Sequence, residues 1–177
     1  DIVVPNAGVN GVFAPIEDLT PEEWDETQNI NVRGTFLTVK YSIPHLRSAG
    51  GGSIVVVSSV NGNRIFSNFG FTAYSCSKAA QVAFTKMAAV ELAQWNIRIN
   101  VVCPGATTTK IQENTFPRDI DKIRIPREYP KGMIPLQQRA ASSEEVAKTI
   151  LFLASSESTY TTGTEIYVDG ALSLFQG

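Results

Sequence analysis

Ser53-Ile54-Val55-Val56-Val57-Ser58-Ser59 carries the clearest structural information in the sequence. Its β-branched centre is typical of a strand that is buried on both faces of a parallel sheet. In open α/β sheets, ligands bind outside the carboxyl ends of the strands, and two hydroxyl groups stand at that end here. We therefore expect an α/β fold with a functional site beside Ser59, and we interpret Ser58 as a turn residue.

The next informative stretch is Tyr74-Ser75-Cys76-Ser77-Lys78, which runs into the helix-forming segment 79–83. On a helix, residues i and i+4 lie on one face, so the phenol of Tyr74 and the ammonium of Lys78 are expected to be neighbours. A nearby positive charge favours the phenolate and lowers the tyrosine pKa from about 10. The pair predicts an acid/base group, although the same spacing also occurs where a lysine only covers a ring edge.

Strand patterns and helix patterns alternate along the whole chain. Thr20 and Ser142 each begin a capping box, with Glu23 and Glu145 as the third helical residues. Such alternation predicts a parallel sheet with right-handed crossovers. We expect about four strands (2–4, 53–57, 97–103 and 163–170), flanking helices (20–45, 72–95 and 142–154) and an irregular segment, 106–141. In the first helix we expect five inward side chains: Ile30, Val32, Phe36, Leu37 and Val39.

Composition excludes several classes of function. The 177 residues suggest one domain, and a net charge of −2 gives no reason to expect nucleic acid or a membrane surface as a partner. The two cysteines fit a reducing, cytoplasmic location, and no Cys/His spacing indicates a metal site. His45 is the only histidine and is interpreted as a helix-end residue, which argues against a Ser-His hydrolase.

The helix predicted at 72–95 is nearly apolar on all sides. A helix that is apolar all round is buried all round, and the sheet can cover only one of its faces. We therefore expect a homodimer or homotetramer built on this helix and on the helix that begins at Thr20.

Six short motifs follow one another along the β/α pattern. They are Asn6-Ala7-Gly8, Asn31, Ser58-Ser59, Tyr74 with Lys78, Pro104-Gly105 with Thr109, and Val168-Asp169-Gly170. Any one motif is weak, and their order on the β/α pattern is what makes them specific. Together they make the sequence resemble the classical short-chain dehydrogenases/reductases over essentially its whole length. The resemblance implies a Rossmann-like, doubly wound parallel sheet in a single domain, 1–177.

The resemblance implies a catalytic tetrad of Asn31, Ser59, Tyr74 and Lys78. Tyr74 would exchange a proton with the substrate oxygen, and Ser59 would donate to that oxygen as charge develops. Lys78 would lower the tyrosine pKa and bind the nicotinamide ribose. Asn31 would hold a water that links Lys78 to solvent, while its residue type also fits a polar residue that bends a long helix.

The resemblance also implies binding residues for NAD or NADP, without deciding between the two. Ser59, Asn61 and Tyr74 would line the substrate side, and the segment 106–141 would form the substrate loop. The loop's charges, among them Arg127, Glu128 and Lys131, are close to balanced and are interpreted as a solvated face. The nucleotide contacts would be Asn6, Ala7, Gly8, Tyr74, Lys78, Pro104, Gly105, Thr107 and Thr109.

One departure from the family pattern concerns the nucleotide. The family's Gly-rich turn after a first strand is absent, since Gly50-Gly51-Gly52 precedes a strand instead of following one. We therefore expect the functional polypeptide to carry a further βαβαβ half before Asp1, without which nucleotide binding would be poor. A second departure is Pro5, which lacks the backbone donor of the usual asparagine.

The implied activity is interconversion of a secondary alcohol and a ketone by hydride transfer with a nicotinamide nucleotide. Phe66, Phe69, Phe71 and Phe116 indicate an apolar pocket for a substrate of modest size. Two alternatives stay open: a non-redox enzyme on the same site, such as an epimerase or dehydratase, and a non-catalytic relative or scaffold.

Overall fold

The structure is a computed structural model that describes residues 1–125 and 134–176. Its main sheet and a smaller one account for six strands. The strands are β1 (Ile2–Val3), β2 (Gly11–Phe13), β3 (Gly52–Val57), β4 (Ile97–Pro104), β5 (Thr115–Pro117) and β6 (Glu165–Val168). The α-helices are α1 (Pro21–Gln28), α2 (Gly34–Ser48), α3 (Thr72–Leu92), α4 (Ser143–Ala154) and α5 (Leu172–Gln176).

The main sheet has four parallel strands in the order β1-β3-β4-β6. Ile54 and Val56 of β3 pack with α2 and α3 on one face, while Val55 packs with α4 on the other. Burial on both faces explains why β3 is a continuous β-branched run. The predicted α/β architecture with helices on both sides of a parallel sheet is confirmed.

The predicted capping residues are confirmed, although α2 runs to Ser48, beyond the predicted end at 45, and α3 ends at Leu92. Thr20 accepts from the Glu23 backbone N–H at 3.3 Å while the Glu23 carboxylate accepts from the Thr20 backbone. Ser142 and Glu145 form the same reciprocal pair at α4. Asn96 takes the left-handed conformation, with φ of 55°, where the helical turn after α3 ends.

The helix predicted at 20–45 differs from expectation in its middle. A π-helical segment, Asn29–Arg33, separates α1 from α2, and the buried residues are Thr27, Asn31, Thr35 and Val39. Ile30 and Phe36 are exposed, so the predicted inward face is wrong at these two positions. The wider turn rotates the helix, and polar side chains that bond to neighbouring elements take the inward positions.

The segment 106–141 also contains more regular structure than predicted. Strand β5 pairs in parallel with β2, matching Gly11 with Thr115 and Phe13 with Pro117. The short helix α5 was likewise not predicted. The β2–β5 pairing and the packing of α5 both depend on contacts distant in sequence, which a local pattern does not reveal.

Helix α3 packs on the sheet through one face only. On the opposite face, Met87 is 76% exposed and Val90 is 82% exposed, so the expected burial on all sides is not met within one chain. Among the described helices, none has the length and apolar character needed to cross a lipid bilayer.

Candidate active site

Tyr74 lies in the first turn of α3 beside the carboxyl end of β3. Its side chain is buried, and its ring meets the ring of Phe71 edge-on at 6.1 Å between centroids. Phe71 in turn stacks on Phe13 at 3.7 Å. Ser59, which follows β3, lies beside the phenol, and its hydroxyl lowers the pKa of Tyr74. The structure thus places the predicted proton donor and the predicted oxygen-binding hydroxyl against each other.

Lys78 is buried one turn further along α3. Its Nζ lies 5.6 Å from the centroid of the Tyr74 ring. The ammonium donates to the backbone oxygen of Val57 at 3.1 Å and to Oε1 of Gln81 at 3.2 Å. Burial lowers the pKa of Lys78 to about 8, because a low-dielectric environment disfavours its charged form.

The sequence-based expectation about the Tyr74 pKa is wrong. Burial raises the pKa of Tyr74 above its ordinary value, and the nearby Ser59 hydroxyl opposes that rise. Lys78 does not reverse it, since its ammonium is directed at Val57 and Gln81. The phenol is therefore held in its neutral, proton-carrying form at neutral pH.

Asn31 lies in the π-helical segment and is fully buried. Its Oδ1 accepts from the Val9 backbone N–H, and its Nδ2 donates to the Val9 oxygen and to the Ser77 hydroxyl, each at 2.9 Å. These bonds join the loop after β1 to α3. A π-turn inside a helix often marks a functional site, and here it places a polar side chain among the site residues.

Gly8 brings the backbone of the same loop close to the site. A Cβ at this position would lie 3.1 Å from Oδ1 of Asn31 and 3.6 Å from Nζ of Lys78. The structure therefore places Asn31, Ser59, Tyr74 and Lys78 near one another at the carboxyl edge of the sheet.

The other residues predicted to contact a nucleotide lie along the same edge. Asn6 and Ala7 are exposed after β1, and Pro104 closes β4. Gly105 lies against Asp169, where a Cβ would come within 2.7 Å. Thr107 donates to the Gly105 oxygen at 3.2 Å, whereas the exposed Thr109 accepts from the Ile111 backbone at 3.3 Å.

The predicted substrate side contains Asn61 and a nearby cavity. The Asn61 backbone N–H donates to Ser59 Oγ at 3.1 Å, and its Oδ1 accepts from Asn68 at 2.6 Å. A cavity of about 260 Å³ opens beside Phe69 and Phe71. Its remaining lining residues are Ser67, Asn68, Ile120, Asp121, Arg124 and Ile125.

Some predicted features of the substrate side do not line this cavity. Phe66 and Phe116 are exposed and are not among its lining residues. The charges at Arg127, Glu128 and Lys131 lie outside the described residues.

Two site residues were missed by sequence reasoning, Ser77 and Gln81. Ser77 bonds to Asn31, and Gln81 bonds to Lys78, to the Asn31 oxygen and to Thr35. A signal was present for Gln81, because it is a lone polar residue within the apolar run 79–83, one helical turn after Lys78. Within residues 1–125 and 134–176, no cluster of His, Cys, Asp and Glu is suited to a metal ion.

Comparison with known proteins agrees with this geometry. A family model described as Enoyl-(Acyl carrier protein) reductase matches residues 1–173. Dehydrogenase/reductase SDR family member 4 of Sus scrofa is 39% identical over 170 residues, which are 96% of this chain and 58% of that protein. A 3-oxoacyl-(acyl-carrier-protein) reductase of Thermotoga maritima is 41% identical over 172 residues, 97% of this chain and 65% of that protein. The chain thus spans about three fifths of the length of these relatives.

Solved structures match as well. A 3-ketoacyl-ACP reductase of Sinorhizobium meliloti superposes with a TM-score of 0.92 at 49% identity, covering 98% of this chain and 69% of that one. A 3-ketoacyl-(acyl-carrier-protein) reductase of Brucella melitensis complexed with NADH gives 0.83 at 29% identity, with 98% and 67% covered. The protein ElxO with NADP bound gives 0.80 at 29% identity, with 97% and 66% covered. The chain belongs to the short-chain dehydrogenase/reductase family.

Proposed function

We propose that the polypeptide containing this chain is an NAD(P)-dependent oxidoreductase that interconverts a secondary alcohol and a ketone. The observation that carries the proposal is the contact between the buried phenol of Tyr74 and the hydroxyl of Ser59, with the Lys78 ammonium 5.6 Å from the tyrosine ring. A neutral phenol and a serine hydroxyl aimed at one point suit a carbonyl oxygen that gains negative charge and a proton.

In the reductive direction, Tyr74 gives its proton to the substrate oxygen. Ser59 donates a hydrogen bond to the same oxygen while charge develops on it. The positive charge of Lys78 lies beside the phenol, 5.6 Å from its ring centroid, and stabilises the phenolate left after proton transfer. In the oxidative direction the same groups run in reverse: Tyr74 first loses its proton to solvent and, as the phenolate, accepts the proton of the alcohol.

The residues at this edge fit a nicotinamide nucleotide. Lys78 has three N–H bonds, and the described residues supply acceptors for two of them, Val57 O and Gln81 Oε1. The third remains for a ribose hydroxyl, and Gly8 lets the backbone approach closely. The bound nucleotide supplies or accepts the hydride, and the protein supplies orientation and electrostatics. Similar structures carrying NADH or NADP support this cofactor class and leave the type open.

The cavity beside Phe69 and Phe71 bears on the size of the substrate. Its walls are partly aromatic and partly polar, and its volume of about 260 Å³ suits a group of modest size. The 3-oxoacyl groups in the names of relatives are ketones, so reduction of such a group falls within the same chemistry.

The test is to follow NADH and NADPH absorbance with the full polypeptide and a panel of secondary alcohols and ketones. The proposal expects nucleotide to be consumed in equal amount to substrate. Product formed with no net change in NAD(P)H would instead support the epimerase or dehydratase alternative. If neither nucleotide binds and no substrate turns over, the chain is a non-catalytic relative.

We further propose that the protein is a homodimer or homotetramer. The exposed apolar face of α3, which contains Met87 and Val90, and the exposed Phe36 of α2 support this assembly. Light scattering measures the mass directly. A Met87→Glu, Val90→Glu double variant is expected to shift the mass towards that of the monomer, whereas an unchanged monomeric mass in both proteins would contradict the assembly.

A further inference from the structure

We propose that Gln81 is a positioning residue that fixes the orientation of the Lys78 ammonium and ties it to the backbone of the π-helical segment. Its catalytic meaning rests on the proposed function, whereas its effect on Lys78 can be measured without turnover.

The first observation is that Gln81 is fully engaged although it is almost completely buried. Its Oε1 accepts from Lys78 Nζ at 3.2 Å. Its Nε2 donates to the Asn31 carbonyl oxygen at 2.9 Å and to Thr35 Oγ1 at 2.8 Å. Rotating the Gln81 amide by 180° would break all three bonds, because its NH₂ group would then face the Lys78 ammonium.

The second observation concerns the partner of Nε2. Thr35 itself donates to the Asn31 carbonyl at 2.7 Å, so that oxygen accepts from both Gln81 and Thr35. The oxygen belongs to the π-helical segment, whose Asn31 side chain holds the loop at Val9. Gln81 therefore connects Lys78 directly to the backbone that positions this loop.

The third observation is the charge balance around Lys78. The ionisable groups that face it are Tyr74 on the same helix and Cys103 on β4. Burial raises the pKa of Tyr74 and raises that of Cys103 to about 12, so both are neutral at pH 7. With no carboxylate facing it among the described residues, the ammonium depends on two neutral acceptors, Val57 O and Gln81 Oε1.

Removing one of two acceptors from a buried ammonium disfavours its charged form. The Gln81→Leu variant should therefore lower the pKa of Lys78 by about one unit or more. The Gln81→Glu variant should raise it, since a carboxylate would then face the ammonium. If turnover requires charged Lys78, the alkaline pKa of the kcat/KM profile should fall in Gln81→Leu and rise in Gln81→Glu.

Thr85→Val is the matched control. Thr85 lies one turn further along α3, is fully buried and donates to the Gln81 backbone oxygen at 2.8 Å. The control removes a buried hydrogen bond from the same helix without changing an acceptor of Lys78. It should lower the unfolding midpoint to a similar extent and leave the pKa of Lys78 unchanged.

The experiment titrates Lys78 by NMR in the full polypeptide with ¹³Cε-labelled lysine, in the wild type and all three variants. Opposite displacements in Gln81→Leu and Gln81→Glu, with none in Thr85→Val, would establish the proposal. If Gln81→Leu does not fold, Gln81→Glu against Thr85→Val decides it alone. An unchanged Lys78 pKa in the folded Gln81 variants overturns it. Absence of turnover in the wild type, together with these displacements, would reject the proposed function and leave the positioning role intact.

Discussion

The site at the end of β3 and the segment 106–141, which begins after β4, differ in how deeply they are buried and in how they are attached to the fold. Tyr74, Lys78 and Asn31 are buried, and a continuous set of hydrogen bonds joins Asn31 to Lys78 through Gln81. The described part of 106–141 is mostly exposed. It is attached by the short β2–β5 pairing, by the contacts of Arg118 with Glu23, by the pairing of Thr107 with Ala141 and by the packing of Ile134 on a small buried cluster. The proposed chemistry thus rests on a buried hydrogen-bonded network, and the proposed substrate side on short pairings and a few side-chain contacts.

In the buried site, Lys78→Met is expected to have the largest effect on turnover. Without the ammonium we expect turnover to fall by about 10³-fold or more, within the range that acid/base catalysis contributes. The measurement is kcat/KM at pH 7 with saturating nucleotide, alongside circular dichroism to verify the fold. Turnover within tenfold of wild type would show that the charge at position 78 is not needed.

Lys78→Met is also expected to change how the free energy of unfolding depends on pH. The pKa of Lys78 is about 8 in the folded protein and 10.5 ordinarily, so below pH 8 burying its charge costs roughly 3 kcal/mol. Between pH 8 and 10.5 the unfolded chain binds more protons, and this cost is relieved as pH rises. Lys78→Met should therefore be the more stable protein by denaturant unfolding at pH 7, with a difference that shrinks towards pH 10.5.

The next largest effect on turnover is expected at Ser59, whose role differs from that of the adjacent Ser58. Ser59 contacts the Tyr74 phenol, whereas Ser58 donates to the Lys78 backbone oxygen at 2.8 Å. Ser59→Ala should lower kcat by about 10²-fold with little change in stability, as the loss of an oxyanion donor does. Ser58→Ala should lower the free energy of unfolding by about 1 kcal/mol and retain most of the turnover. Equal loss of turnover in both variants would contradict the division of roles.

The smallest effect is expected in the loosely attached segment. Arg118 donates to both oxygens of Glu23 at 2.5 and 2.9 Å, and this contact lowers the pKa of Glu23 to about 2. Arg118→Met should raise KM for the substrate by about threefold and leave kcat within twofold, since exposed ion pairs contribute little. Lys122→Met is the control, because among residues 1–125 and 134–176 Lys122 pairs with Asp18 and Asp119 at the surface. A fall in kcat as large as that of Ser59→Ala would show that this segment is part of the catalytic machinery.

The direction of the Glu23 pKa also predicts a pH window for the contact. A carboxyl whose folded pKa is lowered contributes stability above its ordinary value of 4.5 and loses it as pH falls towards 2. The free energies of unfolding of the wild type and of Arg118→Met should therefore differ above about pH 5 and converge as the pH falls towards 2. Denaturant unfolding of both proteins across this range measures the convergence.

The same contrast explains what could be predicted from the sequence. Strand β3, both capping boxes and the Tyr74–Lys78 pair follow from local spacing, and the structure places them as expected. Strand β5 was missed because it pairs with residues about one hundred positions earlier, where no local pattern marks it. The exposed Ile30 and Phe36 were mispredicted because the π-helical turn changes the period of the helix.

Within the site, residue types were easier to predict than their electrostatics. The sequence indicated which side chains meet, but the pKa of Tyr74 depends on how deeply α3 buries the phenol. Gln81 was overlooked because helical periodicity treats a single polar residue in an apolar run as an exception, whereas the structure gives it three partners.

Replacement of Tyr74 by phenylalanine tests the central claim most directly, because it removes one oxygen atom and keeps the ring packed against Phe71. The measurement is substrate-dependent consumption of NAD(P)H by the full polypeptide, with nucleotide binding and the unfolding midpoint recorded on the same samples. The account predicts a loss of turnover of about 10³-fold or more with nucleotide binding retained. Turnover that survives the substitution would contradict it.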